Sequence, residues 1–163
     1  LDECGYEGNA SRFWGSVSPQ EFVRRCWHGF VMGGYVGHGE AYSNGTGVWT
    51  GSGVNLMGES PKRIAFLRGI VESAPAHGLE PQSIGKHIDC VGKAGVYYLA
   101  YLGINQPKHV EMLLPDNVSF RIDVIDTWEM SITPAEGVYS GKCRLSLPAK
   151  PYIAFQIRAV GNE

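Results

Sequence analysis

The stretch SPQEFVRRCWHGFVMGGYVGHGEAY, residues 18–42, decides how the first half of this chain folds. It opens with helix punctuation. Ser18 is the expected N-cap, Pro19 fits the first helical position and Glu21 completes a capping box. Phe22, Val23, Cys26, Trp27, Phe30 and Val31 recur at helical spacing and make one broad apolar face. Gly33 and Gly34 end the helix. YVGH, residues 35–38, then reads as a short buried strand, followed by a glycine-rich loop over residues 39–59.

Outward from this core the pattern repeats. Downstream, SPKRIAFLRGIVESAP (residues 60–75) is a second helix, with Ser60 as cap and Pro61 at the first position. Its inner stripe is Ile64, Leu67 and Val71, widened by Phe66 and Ile70. Upstream, LDECGYEG (residues 1–8) reads as the end of a buried strand that delivers a carboxylate, Glu3. Strand–helix–strand–helix implies parallel strands with crossover helices. Two such strands cannot form a stable sheet alone, so the rest of the sheet is expected from further chain or from a partner, which makes an oligomer through the incomplete sheet one outcome.

The character changes near residue 79. GLEPQSIGKHID (residues 78–89) reads as a linker, and short β-rich runs follow: GVYYLAYLG, HVEMLL, VSFRIDVID, TWEMSI, GVYSGKCRLSL and PYIAFQIRAV. In VSFRIDVID, Val118, Phe120, Ile122 and Val124 fall on one face, and Ser119, Arg121 and Asp123 on the other. Short strands at this spacing argue for an antiparallel sandwich. Asp126, Thr127 and Trp128 read as a structural strand corner.

Composition narrows the function classes. The net charge of −2 over 163 residues gives no electrostatic case for nucleic acid. No apolar run reaches the roughly 20 residues that cross a bilayer, and no secretory leader is visible. The chain begins at Leu1 without an initiator methionine, as a processed chain or a piece of a longer one would. Four scattered cysteines without a C-x-x-C read as buried thiols, and the compartment stays open.

In parallel βα units, active groups sit at the carboxyl ends of strands. Glu3, His38 and Glu40 are therefore expected at one pocket mouth, since neighbouring strands lie about 5 Å apart. Such a pocket suits glycoside hydrolysis, which needs two carboxyl groups flanking an oxocarbenium-like centre. Glu3 is the candidate nucleophile, and His38 and Glu40 would orient it or bind sugar hydroxyls. Tyr6, Tyr42 and Trp49, with Trp14 and Tyr35, offer flat faces for sugar rings. Each has a plainer reading. Glu3 is a solvated terminal residue, Glu7 a loop cap, His38 a structural histidine and Glu40 the start of a loop, while Trp14 and Trp27 are packing residues. A His/Glu/Glu metal site has no H-E-x-x-H or similar spacing behind it, so neither metal nor cofactor is expected.

The stretches DECGYEG, WGSVSPQEFVRRCWHGFVMGGYVGHGEAY, LMGESPKRIAFLRGI, IDTWEMSI and LPAKPYIAFQI carry a resemblance across most of the chain. The sequence resembles the C-terminal portion of a bacterial family of glycoside hydrolases, in which a TIM-barrel core is followed by a β-sandwich domain of unknown function. The resemblance implies an α+β chain in two parts. Residues 1–78 would be a partial (β/α) barrel remnant of two βα units, strands seven and eight with their helices. Residues 79–163 would be an antiparallel immunoglobulin-like β-sandwich. It also implies that Glu3 stands where retaining TIM-barrel glycosidases carry their nucleophile, after strand seven. The acid/base, after strand four, lies outside this chain, so the isolated chain is expected to be inactive and the carbohydrate substrate to belong to the whole enzyme. The competing expectation is a non-catalytic carbohydrate-binding or barrel-stabilising sandwich. If the sandwich docks on the barrel helices, the outer side of residues 61–73 should carry apolar groups.

Overall fold

A computed structural model describes residues 3–43 and 55–161. Within them the chain is α+β: mostly sheet, with two α-helices near its start.

The first half begins with a short parallel pair, β1 (Glu7–Gly8) and β2 (Glu40–Ala41), with Glu7 opposite Glu40 and Gly8 opposite Ala41. A short 3-10 turn and helix α1 (Pro19–Val31) connect them, and α2 (Ser60–Glu72) follows. The Ser18 hydroxyl caps α1 by accepting the Glu21 N–H at 3.2 Å. Glu21 does not close the box in return, because its carboxylate is taken by Arg24 at 2.6 Å and Arg25 at 2.7 Å. The expected strand at residues 35–38 is displaced. Tyr35 is 83% exposed, and pairing starts only at Glu40. The reason is steric: a Cβ on Gly39 would stand 1.9 Å from the Tyr6 ring, so only glycine lets the chain close on β1 at this point. Gly8 is held the same way, a Cβ there meeting the Ala41 carbonyl at 2.3 Å.

The second half is antiparallel in every strand pair among the described residues. A six-stranded sheet runs β3 (Glu80–Gln82), β4 (Asp89–Lys93), β5 (Tyr97–Tyr101), β10 (Ile153–Ala159), β7 (Phe120–Asp126), β8 (Ser131–Pro134). A two-stranded sheet pairs β6 (His109–Leu113) with β9 (Lys142–Ser146). The expected linker at residues 78–89 is thus part of the sheet: Glu80–Gln82 pairs with Cys90–Gly92. Pro81 masks this strand in sequence, and its position at the sheet edge is where a residue without an N–H is tolerated. The TWEMSI run is also split. Residues 127–130 turn, and the strand begins at Ser131.

Two cores share the six-stranded sheet. On one face Tyr98, Phe120, Ile122, Phe155 and Ile157 pack with Val110, Met112 and Leu145 of the two-stranded sheet. The alternation in β7 therefore works as expected, Phe120 and Ile122 facing this core. On the other face Val91, Leu99, Tyr101, Ile125 and Ala154 receive Phe22, Trp27 and Val31 of α1 and Leu67 and Ile70 of α2. The helices therefore dock on the sheet through apolar groups. Burying a large side chain of this kind contributes about 1.5–3 kcal/mol. Arg63 adds a polar tie. It is 6% exposed, its guanidinium lies 3.4 Å above the Trp128 ring, and Nε donates to the Trp128 carbonyl at 2.8 Å.

The Asp126–Trp128 corner is structural in detail. Asp126 Oδ1 accepts the N–H groups of Trp128 and Glu129 at 3.1 and 2.9 Å, and Thr127 Oγ1 donates to the Tyr152 carbonyl at 2.8 Å. Cys26 and Cys90 are buried, and burial pushes both thiols up to about 12, which leaves them inert as nucleophiles. Cys4 and Cys143 are only half-buried. No helix among the described residues is long and apolar enough to cross a membrane.

Candidate functional site

The mouth of the β1–β2 pair gathers the acidic residues into two groups of different character. The first is a buried clamp. Glu7 is fully buried and Glu40 is 6% exposed. Glu7 Oε1 accepts the Tyr42 hydroxyl at 2.8 Å and the Glu59 N–H at 2.7 Å, and Oε2 accepts the Ser60 N–H at 2.9 Å. Glu40 Oε2 accepts the Met57 N–H at 2.7 Å, and Oε1 accepts the Gly58 N–H at 3.1 Å. Four successive main-chain donors leading into α2 thus end on two carboxylates delivered by the paired strands. A helix N-terminus presents unpaired N–H groups and the positive end of the helix dipole, so anionic acceptors are favoured there. The sequence assigned this cap to Ser60; the helix instead begins at Ser60, and Glu7 supplies the acceptor from another element.

The electrostatics agree. Burial pushes the Glu7 carboxyl up, but the Ser60 hydroxyl, the Glu59 N–H, the Tyr42 phenol and the Ser60 N–H outweigh it and hold the group below the ordinary carboxylate range. Tyr42 moves the opposite way: burial, and then its bond to the Glu7 carboxylate, raise it well above an ordinary phenol. Gly58 must be glycine here, since a Cβ would stand 2.5 Å from the Glu7 carboxylate.

His38 sits at the edge of this clamp. Its Nε2 lies 3.3 Å from Ser60 Oγ and 3.7 Å from Glu40 Oε1, and its ring packs edge-on against Phe22 at 5.5 Å. Glu7, His38 and Glu40 place one ligand atom each within 4.8 Å of one another, the spacing a cation would require. Their carboxylate oxygens, however, are spent on main-chain N–H groups, and these supply the positive potential that a metal would otherwise bring.

The second group is open. Glu3 is exposed and accepts the Tyr6 hydroxyl at 2.7 Å. That bond raises the Tyr6 hydroxyl above an ordinary phenol. The Tyr6 ring stands edge-on to Trp14, centroids 5.8 Å apart, and closes against Gly39, between His38 and Glu40. Glu3 precedes the paired segment of β1 rather than following it. The sequence expectation of Glu3, His38 and Glu40 at one mouth is therefore resolved into two layers. Glu3 and Tyr6 form the accessible layer, and Glu40 is locked beneath with Glu7 while His38 borders it. Trp49 lies outside the described residues. Glu7 is not a cap within its own loop: its partners stand 35, 52 and 53 residues away, a pairing no local pattern encodes.

Residues 87–158 match the model of a family described as a domain of unknown function, DUF5605. The chain is similar to a crystal structure from Bacteroides vulgatus ATCC 8482 described as a "putative glycoside hydrolase", with a TM-score of 0.85 and 32% identity over 98% of this chain. Two further structures share the fold at 10% identity. One is described as a glycoside hydrolase, with a TM-score of 0.66 over 89% of this chain and 38% of that one. The other is a glycoside hydrolase family 5 protein from Bacteroides vulgatus ATCC 8482, with a TM-score of 0.64 over 86% of this chain and 36% of that one. A comparison with curated proteins gives no match. The chain spans 35% of the length of the Bacteroides vulgatus protein it matches at 32% identity, and its fold is that of a part of glycoside-hydrolase structures.

Proposed function

We infer that the chain is the C-terminal part of a glycoside hydrolase that cleaves a poly- or oligosaccharide with two carboxyl groups and retention of configuration. On this reading β1, α1, β2 and α2 are the last two βα units of a TIM barrel, and residues from 79 onward form the β-sandwich that follows it. The reading rests on one observation above the others: Glu3 is the open carboxylate beside the parallel pair, oriented by the Tyr6 hydroxyl at 2.7 Å. Glu7 and Glu40, by contrast, are consumed in holding α2.

In the mechanism Glu3 attacks the anomeric carbon. The Tyr6 hydroxyl donates to the carboxylate at 2.7 Å and holds it aimed. A second carboxyl group, supplied by the remainder of the barrel about 5–5.5 Å away, protonates the leaving oxygen and later activates water. His38 and Tyr42 line the pocket, and Glu40 positions the wall behind them. The isolated chain lacks the acid/base and is inactive by itself.

The test uses the intact parent enzyme. Glu3→Gln is expected to lower turnover of aryl glycosides and plant polysaccharides by on the order of a thousandfold or more, with the melting temperature unchanged. Undiminished turnover would remove Glu3 from the mechanism.

A further inference from the structure

The chain that follows β1 folds back along it. Val17 bridges Glu7 in parallel. The Gly8 N–H donates to the Val17 carbonyl at 3.2 Å, the Val17 N–H to the Tyr6 carbonyl at 3.1 Å, and the Tyr6 N–H to the Trp14 carbonyl at 2.6 Å. Residues 14–17 thus run beside residues 6–8 in the same direction, and the 3-10 turn Phe13–Gly15 stands at the Glu3 end of β1.

This turn is fixed, yet it holds a large ring out to solvent. The Gly15 N–H donates to the Arg12 carbonyl at 2.9 Å, and the Ala10 N–H to the Gly15 carbonyl at 3.0 Å. Gly15 is buried, and a Cβ on it would stand 2.9 Å from that of Ala41. Phe13 is 90% exposed on this backbone. Beside it Trp14 stands edge-on to Tyr6, whose hydroxyl donates to Glu3, so a short series of contacts joins the turn to the open carboxylate. Ser11, Arg12 and Ser16 around the ring are also exposed. Their side chains offer hydroxyls, which donate and accept, and a guanidinium, which donates. An apolar face rimmed by polar groups is the surface pattern of a ligand site rather than of a packing face. A pyranose has the matching pattern, with C–H groups on its flat face and hydroxyls around its edge, and the negative face of an aromatic ring attracts such C–H groups.

We propose that Phe13 is a platform for a sugar unit beyond the one that Glu3 attacks, so that the substrate is a chain of several units rather than a single glycoside. The proposal rests on the glycoside-hydrolase reading of Glu3 and deepens it. Phe13 binds a part of the substrate that does not react, and contact of that kind lowers KM without raising kcat.

The experiment uses the intact parent enzyme on carboxymethyl cellulose, xylan, galactomannan and pectic galactan, and on the matching glycosyl fluorides. A fluoride carries one sugar and a one-atom leaving group, so it meets Glu3 without reaching Phe13. Phe13→Ala is expected to raise KM for the polymer that the parent cleaves by about tenfold, with kcat, fluoride hydrolysis and the melting temperature unchanged. Phe13→Trp is expected to recover the KM. An unchanged KM on the polymer, a KM that Phe13→Trp does not recover, or an equal loss on the fluoride overturns the proposal. So does a fall in melting temperature, which would mean that the ring packs against another part of the parent, and so does a parent that cleaves none of these polymers. Phe13→Ala without effect in a parent that Glu3→Gln inactivates sinks only the platform. A Phe13→Ala effect in a parent that Glu3→Gln leaves active sinks only the nucleophile.

Discussion

The Glu7 carboxylate on β1 accepts the main-chain N–H of Ser60 at 2.9 Å, across 53 residues of sequence. This bond joins the first strand to the start of α2 and makes the parallel pair and the second helix one unit. Glu7→Gln keeps one acceptor oxygen but turns an NH₂ group toward main-chain donors. It is expected to destabilise the chain by about 2 kcal/mol, read from urea unfolding. Melting like the parent would show that α2 does not depend on the clamp.

Arg63 binds α2 to the strand corner through two contacts, the stack on Trp128 and the bond to the Trp128 carbonyl, and is itself held by bonds to Glu59, beside the helix start, at 2.9 and 3.0 Å. Lysine cannot reproduce a planar fork that stacks and donates at once. Arg63→Lys should therefore cost about 2 kcal/mol by chemical denaturation, with a shift in Trp128 fluorescence. A cost near zero would mean that the apolar contacts of Leu67 and Ile70 alone secure the helix.

Acid should loosen α1 in a defined window. The hydrogen bond from Arg24, opposed by burial and aided by Arg25, lowers the Glu21 carboxyl from 4.5 to about 2. A group depressed in the folded state adds stability above its unfolded value, and that stability is lost as pH falls through the folded one. Stability should thus decline from about pH 4.5 toward pH 2, with Glu7 contributing in the same direction. Glu21→Gln should flatten this slope in pH-dependent denaturation; an unchanged slope would assign acid sensitivity elsewhere.

The closeness of β1 and β2 depends on Gly8, where a Cβ would meet the Ala41 carbonyl at 2.3 Å. Because that contact is with main chain, no side chain can move aside. Gly8→Ala is expected to cost about 2–3 kcal/mol and to speed hydrogen exchange at the Asn9 amide, which bonds the Ala41 carbonyl at 3.3 Å. Unaltered exchange there would argue against the close approach.

Periodicity made α1 and the alternation of β7 legible, because Phe22, Cys26 and Trp27, or Phe120 and Ile122, repeat with the period of the element that buries them. It failed where a residue's role depends on distant chain. Pro81 disguised an edge strand as a linker. Ser60 looked like a cap because its own sequence neighbourhood supplies Pro61, yet the acceptor came from Glu7. Glu3 and Glu7 sit in the same short acidic run, and nothing local distinguishes the open carboxylate from the buried one. That difference comes from the position of the α2 N-terminus in space.

The order of strands in the large sheet has a consequence for synthesis. β10 lies between β5 and β7, so the central position is filled by the strand that leaves the ribosome after all its neighbours. Until Ile153–Ala159 arrives, β4–β5 and β7–β8 are two ribbons with bare edges, and such edges invite pairing with other chains. Folding of this half must therefore wait for its last strand, and a nascent chain stopped before residue 153 should be a substrate for chaperones rather than a smaller stable domain.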